Sequence, residues 1–270
     1  MPTHAAVEGF DRAADAYERG RPGYPPDAIG AVVEALGIGP GRRVLELGSG
    51  TGKFTRTLLG TGAGLVAVEP TRAMRRVFGQ MVPEVPLLAA QAERLPFRDA
   101  TVDAVVAAQA FHWFATPAAV DEIARVLRPG GGLGLLWNTR DESVAWRARL
   151  GALMNDGSSE APIPRYRSGG WRSVFRGRRE FTSLVHRRFP HSQTLDERTL
   201  IDRVLSVSFI ALRPEAERQA LARRVHEILE SDPETRGRPT VELTYRTDLY
   251  LARRRPPGPP PGHAVVRRRA

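Results

Sequence analysis

Five short and almost wholly apolar runs recur through the first half of the chain, spaced so that a helix fits between neighbours. No other feature limits the fold as tightly. They are RRVLEL (42–47), GLVAV (64–68), PLLAA (86–90), VDAVVAA (102–108) and GLGLLWN (132–138). Their apolar character is nearly continuous rather than alternating, which suits strands buried on both faces, and such strands separated by helices build βαβ units around a parallel sheet. One intervening segment, TPAAVDEIARVLRPGG, shows the helical signature fully. Thr116 can cap it, Pro117 suits its first turn, Val120, Ile123 and Leu127 share a face, and Pro129-Gly130 ends it. The class is therefore α/β.

Beyond Asn138 the pattern changes. Residues 139–180 are rich in arginine, glycine and serine, and the stretch from Arg165 to Arg188 sets eight arginines against Glu180. FTSLVHRRFPHSQ (181–193) reads as a strand, and two helical stretches follow, at 196–212 and 214–230. In the second, Leu221, Val225, Ile228 and Leu229 line one side behind an acidic first turn. TVELTYRTDLYLARR (240–254) alternates, with Val241, Leu243 and Tyr245 on one face, as a last strand. One domain over 1–254 is expected, followed by a disordered Pro/Arg-rich tail at 255–270.

Composition removes several chemistries. Without cysteine there is no disulfide, thiolate metal site, thiol nucleophile or iron–sulfur cluster. The first residues carry acids and lack a signal-peptide core, and no run approaches the roughly 18 apolar residues of a membrane span, so a cytoplasmic location is expected. The net charge of +10 suggests phosphate binding, but Lys53 is the only lysine and six of the arginines lie in the acid-free stretch 253–270, leaving 10 − 6 = +4 elsewhere.

VLELGSGTGKFT (44–55) follows the first strand and opens a helix. Gly48, Gly50 and Gly52 allow a tight turn and close ligand approach, and a helix start offers free N–H groups. The dinucleotide fingerprint wants glycine at 53, where Lys53 stands. Glu46 would repel a pyrophosphate but welcome an ammonium group. Glu69 ends the second strand, where an acid can accept from both ribose hydroxyls. AQAERLPF (90–97) places Ala92 and Glu93 at the same edge, a small and a polar residue suited to adenine.

With these motifs in this order, the chain resembles the class I S-adenosylmethionine-dependent methyltransferases, type 11 subgroup, over residues 10–138. The resemblance implies a Rossmann-like, seven-stranded, mostly parallel sheet with helices on both faces, and S-adenosyl-L-methionine as cofactor. Glu46 and the backbone of Gly48, Ser49 and Gly50 would hold the methionine end, Glu69 and Pro70 the ribose, and Ala92 and Glu93 the adenine. Residues 1–25 would form a lid whose Tyr17 and Arg21 reach over the cofactor carboxylate, with Tyr24 near the entrance, and residues 139–210 would cover the substrate.

Ligands of open parallel sheets bind outside the carboxyl ends of the strands. AQAFHWF (108–114) then floors the pocket where the methyl meets its acceptor. Phe111, Trp113 and Phe114 can steady the sulfonium through their ring faces, Gln109 can bond the cofactor, and His112 is the candidate base for a hydroxyl acceptor. A carboxylate acceptor needs no base. The expected reaction is methyl transfer to an oxygen of a small molecule, an acidic one suiting the arginines between 165 and 188. The alternatives are an RNA methyltransferase, with the basic block as phosphate track, and a nicotinamide-dependent oxidoreductase. Oligomeric state is not legible.

Overall fold

The computed structural model describes residues 14–155 and 166–256. Residues 1–13 of the expected lid, Arg165 of the arginine block, and the tail from 257 onward lie outside the described residues. Arg255 and Pro256, the first two residues of the expected tail, are described. Arg255 still donates from its amide to the Glu180 carbonyl at 2.7 Å and from its side chain to the Phe181 carbonyl.

Seven strands form one sheet: β1 (Arg43–Leu47), β2 (Gly64–Val68), β3 (Leu87–Leu88), β4 (Val102–Ala108), β5 (Leu127–Arg140), β6 (Val185–Leu195) and β7 (Val241–Arg253). Their order across the sheet is β3-β2-β1-β4-β5-β7-β6. The first five run parallel, and β7 is inserted antiparallel between β5 and β6. The five apolar runs all become strands, although the third shrinks to two residues at the sheet edge. The fifth begins earlier than its pattern suggests. Leu127 passes straight from the preceding helix into β5, and Arg128 to Gly131 ride along the sheet border, held by Gly130 N–H to the Arg254 carbonyl and Arg254 N–H to the Gly131 carbonyl.

Alternate residues of these strands face opposite layers. Leu45, Val105, Leu133, Leu135 and Trp137 pack against the helix Pro117–Val126 and against Trp171 and Phe181. Val44, Ala104, Val106, Leu136 and Leu249 pack against the helix Pro26–Leu36 and against Phe54 and Leu58. Both faces are thus covered by helices. A third core joins the start of β7 to the helices Ala145–Asn155, Glu197–Leu205 and Glu215–Ser231 through Trp146, Leu200, Val225 and Tyr245.

Residues 14–20 are helical and lie over the glycine turn. Glu18 accepts from Thr51 Oγ1 at 2.5 Å and from Arg56 at 2.6 Å, with Lys53 3.6 Å away, so the residue that breaks the dinucleotide fingerprint helps to dock this helix. At its other end Gly20 meets the main chain of Arg203, where a Cβ would come within 2.5 Å of the backbone nitrogen.

The opposite edge of the sheet is bolted by Asp103, only 7% exposed. It accepts from the Arg43 amide at 2.8 Å, Arg128 at 2.7 Å and Arg42 at 3.3 Å, joining the starts of β1, β4 and β5. Burial alone would raise its pKa, but the Arg43 amide and the Arg128 guanidinium outweigh burial and hold it below the ordinary value. A depressed carboxylate contributes stability above its unfolded pKa and loses it as the pH falls. Asp103→Asn should therefore destabilise the protein by about 1–2 kcal/mol at neutral pH, the difference shrinking below about pH 4. Urea titrations across that range check this.

Candidate active site

A cleft of about 280 Å³ opens at the carboxyl ends of β1, β2 and β4. Gly48, Gly50, Glu69, Pro70 and Gln109 line it at the strand ends, and Ala92, Glu93 and Tyr17 close its sides. Thr71 and Met74, from the start of the helix Arg72–Met81, and Ala90 complete the wall. These three were not singled out from the sequence, although placing a helix directly after Glu69-Pro70 points Met74 back toward the strand ends.

The glycine turn is built differently from the expectation of free main-chain donors. Gly48 and Ser49 both donate to the Val68 carbonyl, at 2.8 and 3.2 Å, and Gly50 donates to Glu69 Oε2 at 2.9 Å. What the glycines supply is backbone shape and room. Gly48 has φ 65° and packs so closely on Ala110 that a Cβ would lie 2.6 Å from it, whereas Gly50 has φ 57° and open space where a side chain would stand. Ser49 does not line the cleft, and its hydroxyl is buried without a partner among the described residues.

Glu69 is 6% exposed, and its Oε1 accepts from the Thr71 amide at 2.8 Å. Burial raises its pKa, while the bonds from Thr71 and Gly50 oppose the rise. The Thr71 side chain also bonds this carboxylate, and of its roughly four acceptor positions one remains for a hydroxyl donor in the cleft. Glu46 lies beneath the turn, 3% exposed and off the cleft lining. Its Oε2 accepts from Thr55 Oγ1 at 2.6 Å, and its Oε1 is buried without a partner among the described residues. Burial pushes this carboxyl up to about 8, with Thr55 pulling down and Glu69 pushing further up. A buried acid with an open oxygen lacks a cation.

The aromatic stretch after β4 divides. Trp113 and Phe114 line the cleft, but Phe111 is fully buried against Phe114, Trp171 and Phe175 and belongs to the core, so it cannot face a sulfonium. Gln109 takes a left-handed conformation, φ 59°, uncommon outside glycine. Its amide donates to the Leu136 carbonyl at 2.8 Å.

His112 stands off the cleft lining, with Nδ1 accepting from Trp137 Nε1 at 3.0 Å. An indole N–H can only donate, so Nδ1 carries the lone pair and neutral His112 keeps its proton on Nε2. Burial, with Arg21 adding to it, lowers its pKa to about 3. This works against the general-base role expected from the sequence: Nδ1 is engaged and Nε2 already bears hydrogen. Arg21 is also off the lining. It stacks on the Tyr17 ring, 4.8 Å from the centroid, and donates to the hydroxyl and carbonyl of Ser206. Tyr24 packs edge-on against Phe54.

The profile of the methyltransferase-domain family matches residues 45–135, which contain the end of β1, the glycine turn, both acids and β4. An uncharacterized methyltransferase of Mycobacterium tuberculosis is 39% identical over 238 residues, covering 88% of this chain and 92% of the relative. The chain belongs to the class I S-adenosylmethionine-dependent methyltransferases. An uncharacterized methyltransferase-like protein of Schizosaccharomyces pombe is 34% identical over 241 residues, 89% of this chain and 93% of its own. A candidate type II methyltransferase of Anaeromyxobacter dehalogenans shares the fold with a TM-score of 0.62 at 21% identity, covering 87% of this chain and 97% of that one. The enzyme thus uses S-adenosylmethionine and has a methyl-accepting substrate. The nicotinamide alternative falls with this assignment. Among the described residues no helix is long and apolar enough to cross a membrane.

The site fits the cofactor on its own chemistry: an open carboxyl oxygen at Glu46 beneath the turn for an ammonium group, a remaining acceptor position at Glu69 for a ribose hydroxyl, and apolar cleft walls at Ala90, Ala92 and Phe114. Glu46 also carries a stability signature. Unfolded, it ionises near about pH 4; folded, it holds its proton to about 8, so stability falls as the pH rises through that window. Glu46→Gln should raise the melting temperature of the ligand-free enzyme by an amount that grows over the same window, and weaken S-adenosylhomocysteine binding about tenfold or more. Thermal scans and calorimetric titration of both proteins check this.

Proposed function

We propose that the enzyme methylates a carboxylate oxygen of a small molecule. The observation that carries this reading is the Trp137–His112 hydrogen bond, because it leaves the histidine beside the cleft as a neutral donor through Nε2. A hydroxyl acceptor must lose its proton during transfer; a carboxylate arrives without one. Nε2–H suits a carboxylate oxygen awaiting methylation.

When bound, the cofactor supplies an electrophilic methyl on a sulfonium. The remaining work falls to the protein. Glu46 would take the ammonium group, Tyr17 and Arg21 would serve the methionine carboxylate, Glu69 and Pro70 would meet the ribose, and Ala92 and Glu93 would bracket the adenine. Trp113 and Phe114 keep water from the transfer point and offer ring faces to the cation, an interaction of about 0.5–2 kcal/mol. In-line displacement gains most from alignment of two reactants in a dry site, which a lid docked through Glu18 favours.

The arginine block does not support the RNA alternative. Arg178 pairs with Asp121, Arg167 with Glu142 and Arg188 with Asp248, so three of its eight arginines are already engaged by acids within the molecule. Incubation with methyl-labelled cofactor and a panel of small carboxylic acids and phenols should label only acids, in a form released by mild base as an ester is. With the labelled acid as substrate, kcat should be flat from about pH 6 to about pH 8, since His112 does not titrate there, and His112→Gln, which keeps an N–H donor, should retain about a tenth or more of kcat. A base-stable ether on a phenol, with kcat falling below neutral pH, overturns the reading.

A further inference from the structure

Three arginines from distant parts of the chain lie within electrostatic reach of one another and of Tyr245. Arg140, the last residue of β5, is the register partner of Tyr245 on β7. Arg203, in the helix Glu197–Leu205, is 4% exposed and donates from Nε to the Tyr245 hydroxyl at 3.4 Å. Arg21 comes from the amino-terminal helix, brought against Arg203 by the close approach at Gly20 and fastened to Ser206. Burial, followed by the charge of Arg203, lowers Arg21 to about 9 and Arg140 to about 10. The neighbouring carboxylate is Glu142, 3.2 Å from Arg140, and Arg167 shares it. Nη1 of Arg203 and Nε of Arg140 are buried with no hydrogen-bond partner among the described residues.

Buried cations with idle donors are costly unless an anion joins them. The cofactor brings one carboxylate, and Arg21, stacked on the Tyr17 ring that lines the cofactor cleft, is placed for it. That leaves Arg140 and Arg203. Arg140 and Tyr245 also line a second cleft of about 700 Å³ above the ends of β5 and β7. Arg140 thus borders a second cavity open to solvent, Arg21 meets the cofactor cleft only through the Tyr17 ring, and Arg203 is buried off both linings.

We infer that Arg140 and Arg203 hold, against the Tyr245 hydroxyl, an oxyanion of the methyl acceptor distinct from the carboxylate that is methylated. The inference rests on the proposed reading of the acceptor as an acid and deepens it: the acceptor carries at least two anionic groups, the anchored one a carboxylate or a phosphate. Guanidinium geometry suits either, through paired N–H donors. The arginines between 165 and 188, which the sequence favours for this task, are mostly exposed and several are already paired, whereas these three come from elements far apart in the chain.

The test uses the full chain saturated with S-adenosylhomocysteine, titrated at constant ionic strength with succinate, with inorganic phosphate and with neutral succinamide. Succinate or phosphate should bind and succinamide should not, the tighter anion identifying the anchored group. Arg203→Met should weaken anion binding at least about tenfold, keep S-adenosylhomocysteine affinity within about twofold, and leave the ligand-free melting temperature unchanged or higher, because it removes an unanswered buried charge. Arg140→Gln, at a more accessible position, should repeat the loss of anion binding. Equal anion binding by wild type and both variants overturns the inference. So does a loss of S-adenosylhomocysteine affinity as large as the loss of anion affinity, which would give these guanidiniums to the cofactor. Anion binding by a wild type that ignores S-adenosylhomocysteine supports the anion site and refutes the cofactor cleft instead.

Discussion

The hydrogen bonds that the Glu69 carboxylate accepts from Gly50 and Thr71 hold the site together. A glycine turn at the end of a buried strand leaves amide groups that must find acceptors away from water. Here Val68 supplies a carbonyl for Gly48 and Ser49, and the next residue supplies a carboxylate for Gly50 and for the start of the following helix. The turn after β1, the end of β2 and the helix Arg72–Met81 are thereby fixed to one another. Glu46 under the turn, Met74 in the wall and the amino-terminal helix docked through Glu18 all take their places from that arrangement.

The site buries acids and bases that lack full partners. Glu46 and Glu69 are buried acids whose pKa values burial raises, and Arg21 and Arg140 are buried bases whose values burial lowers. Gln109 adds a left-handed backbone at the floor. The buried groups weaken the ligand-free protein and are relieved by a ligand that supplies their missing partners, so binding energy goes into assembling reactants rather than into reshaping the enzyme. Discrimination follows as well: an acceptor without the matching anion leaves guanidiniums buried and idle, at a cost of the kind that separates good substrates from poor ones.

What could be read from the sequence was whatever depends on neighbours in the chain. Near-continuous apolar runs marked five of the seven strands because a doubly covered sheet needs them, the alternation at Val241, Leu243 and Tyr245 marked a sixth, and the stretch 181–193 overlaps the seventh. Glu46 and Glu69 stood out by their distances from the glycines, and both lie at strand ends beside the cleft. The misreadings have physical causes. LRPGG looked like a helix stop followed by a loop, whereas β7 extends far enough to hold it along the sheet border. Phe111 and Phe114 are three residues apart, and the short 3-10 turn Phe111–Trp113 sends one into the core and the other into the cleft. The role of His112 depends on Trp137, twenty-five positions away, because only that indole decides which ring nitrogen carries hydrogen. The arginine cluster was invisible for a stronger reason. Residues 21, 140 and 203 meet only once the lid helix, the end of β5 and a helix after β6 are assembled, and an arginine-rich block between them drew attention by local density alone.

Calorimetric titration with S-adenosylhomocysteine, comparing the wild-type chain with Glu69→Ala, tests most directly whether this carboxylate organises the cleft. The account predicts micromolar binding by the wild type and a loss of about a hundredfold in the variant, since the substitution removes both the acceptor for the ribose and the brace of the turn. Binding of equal strength in the two proteins, or none by a folded wild type, would contradict it.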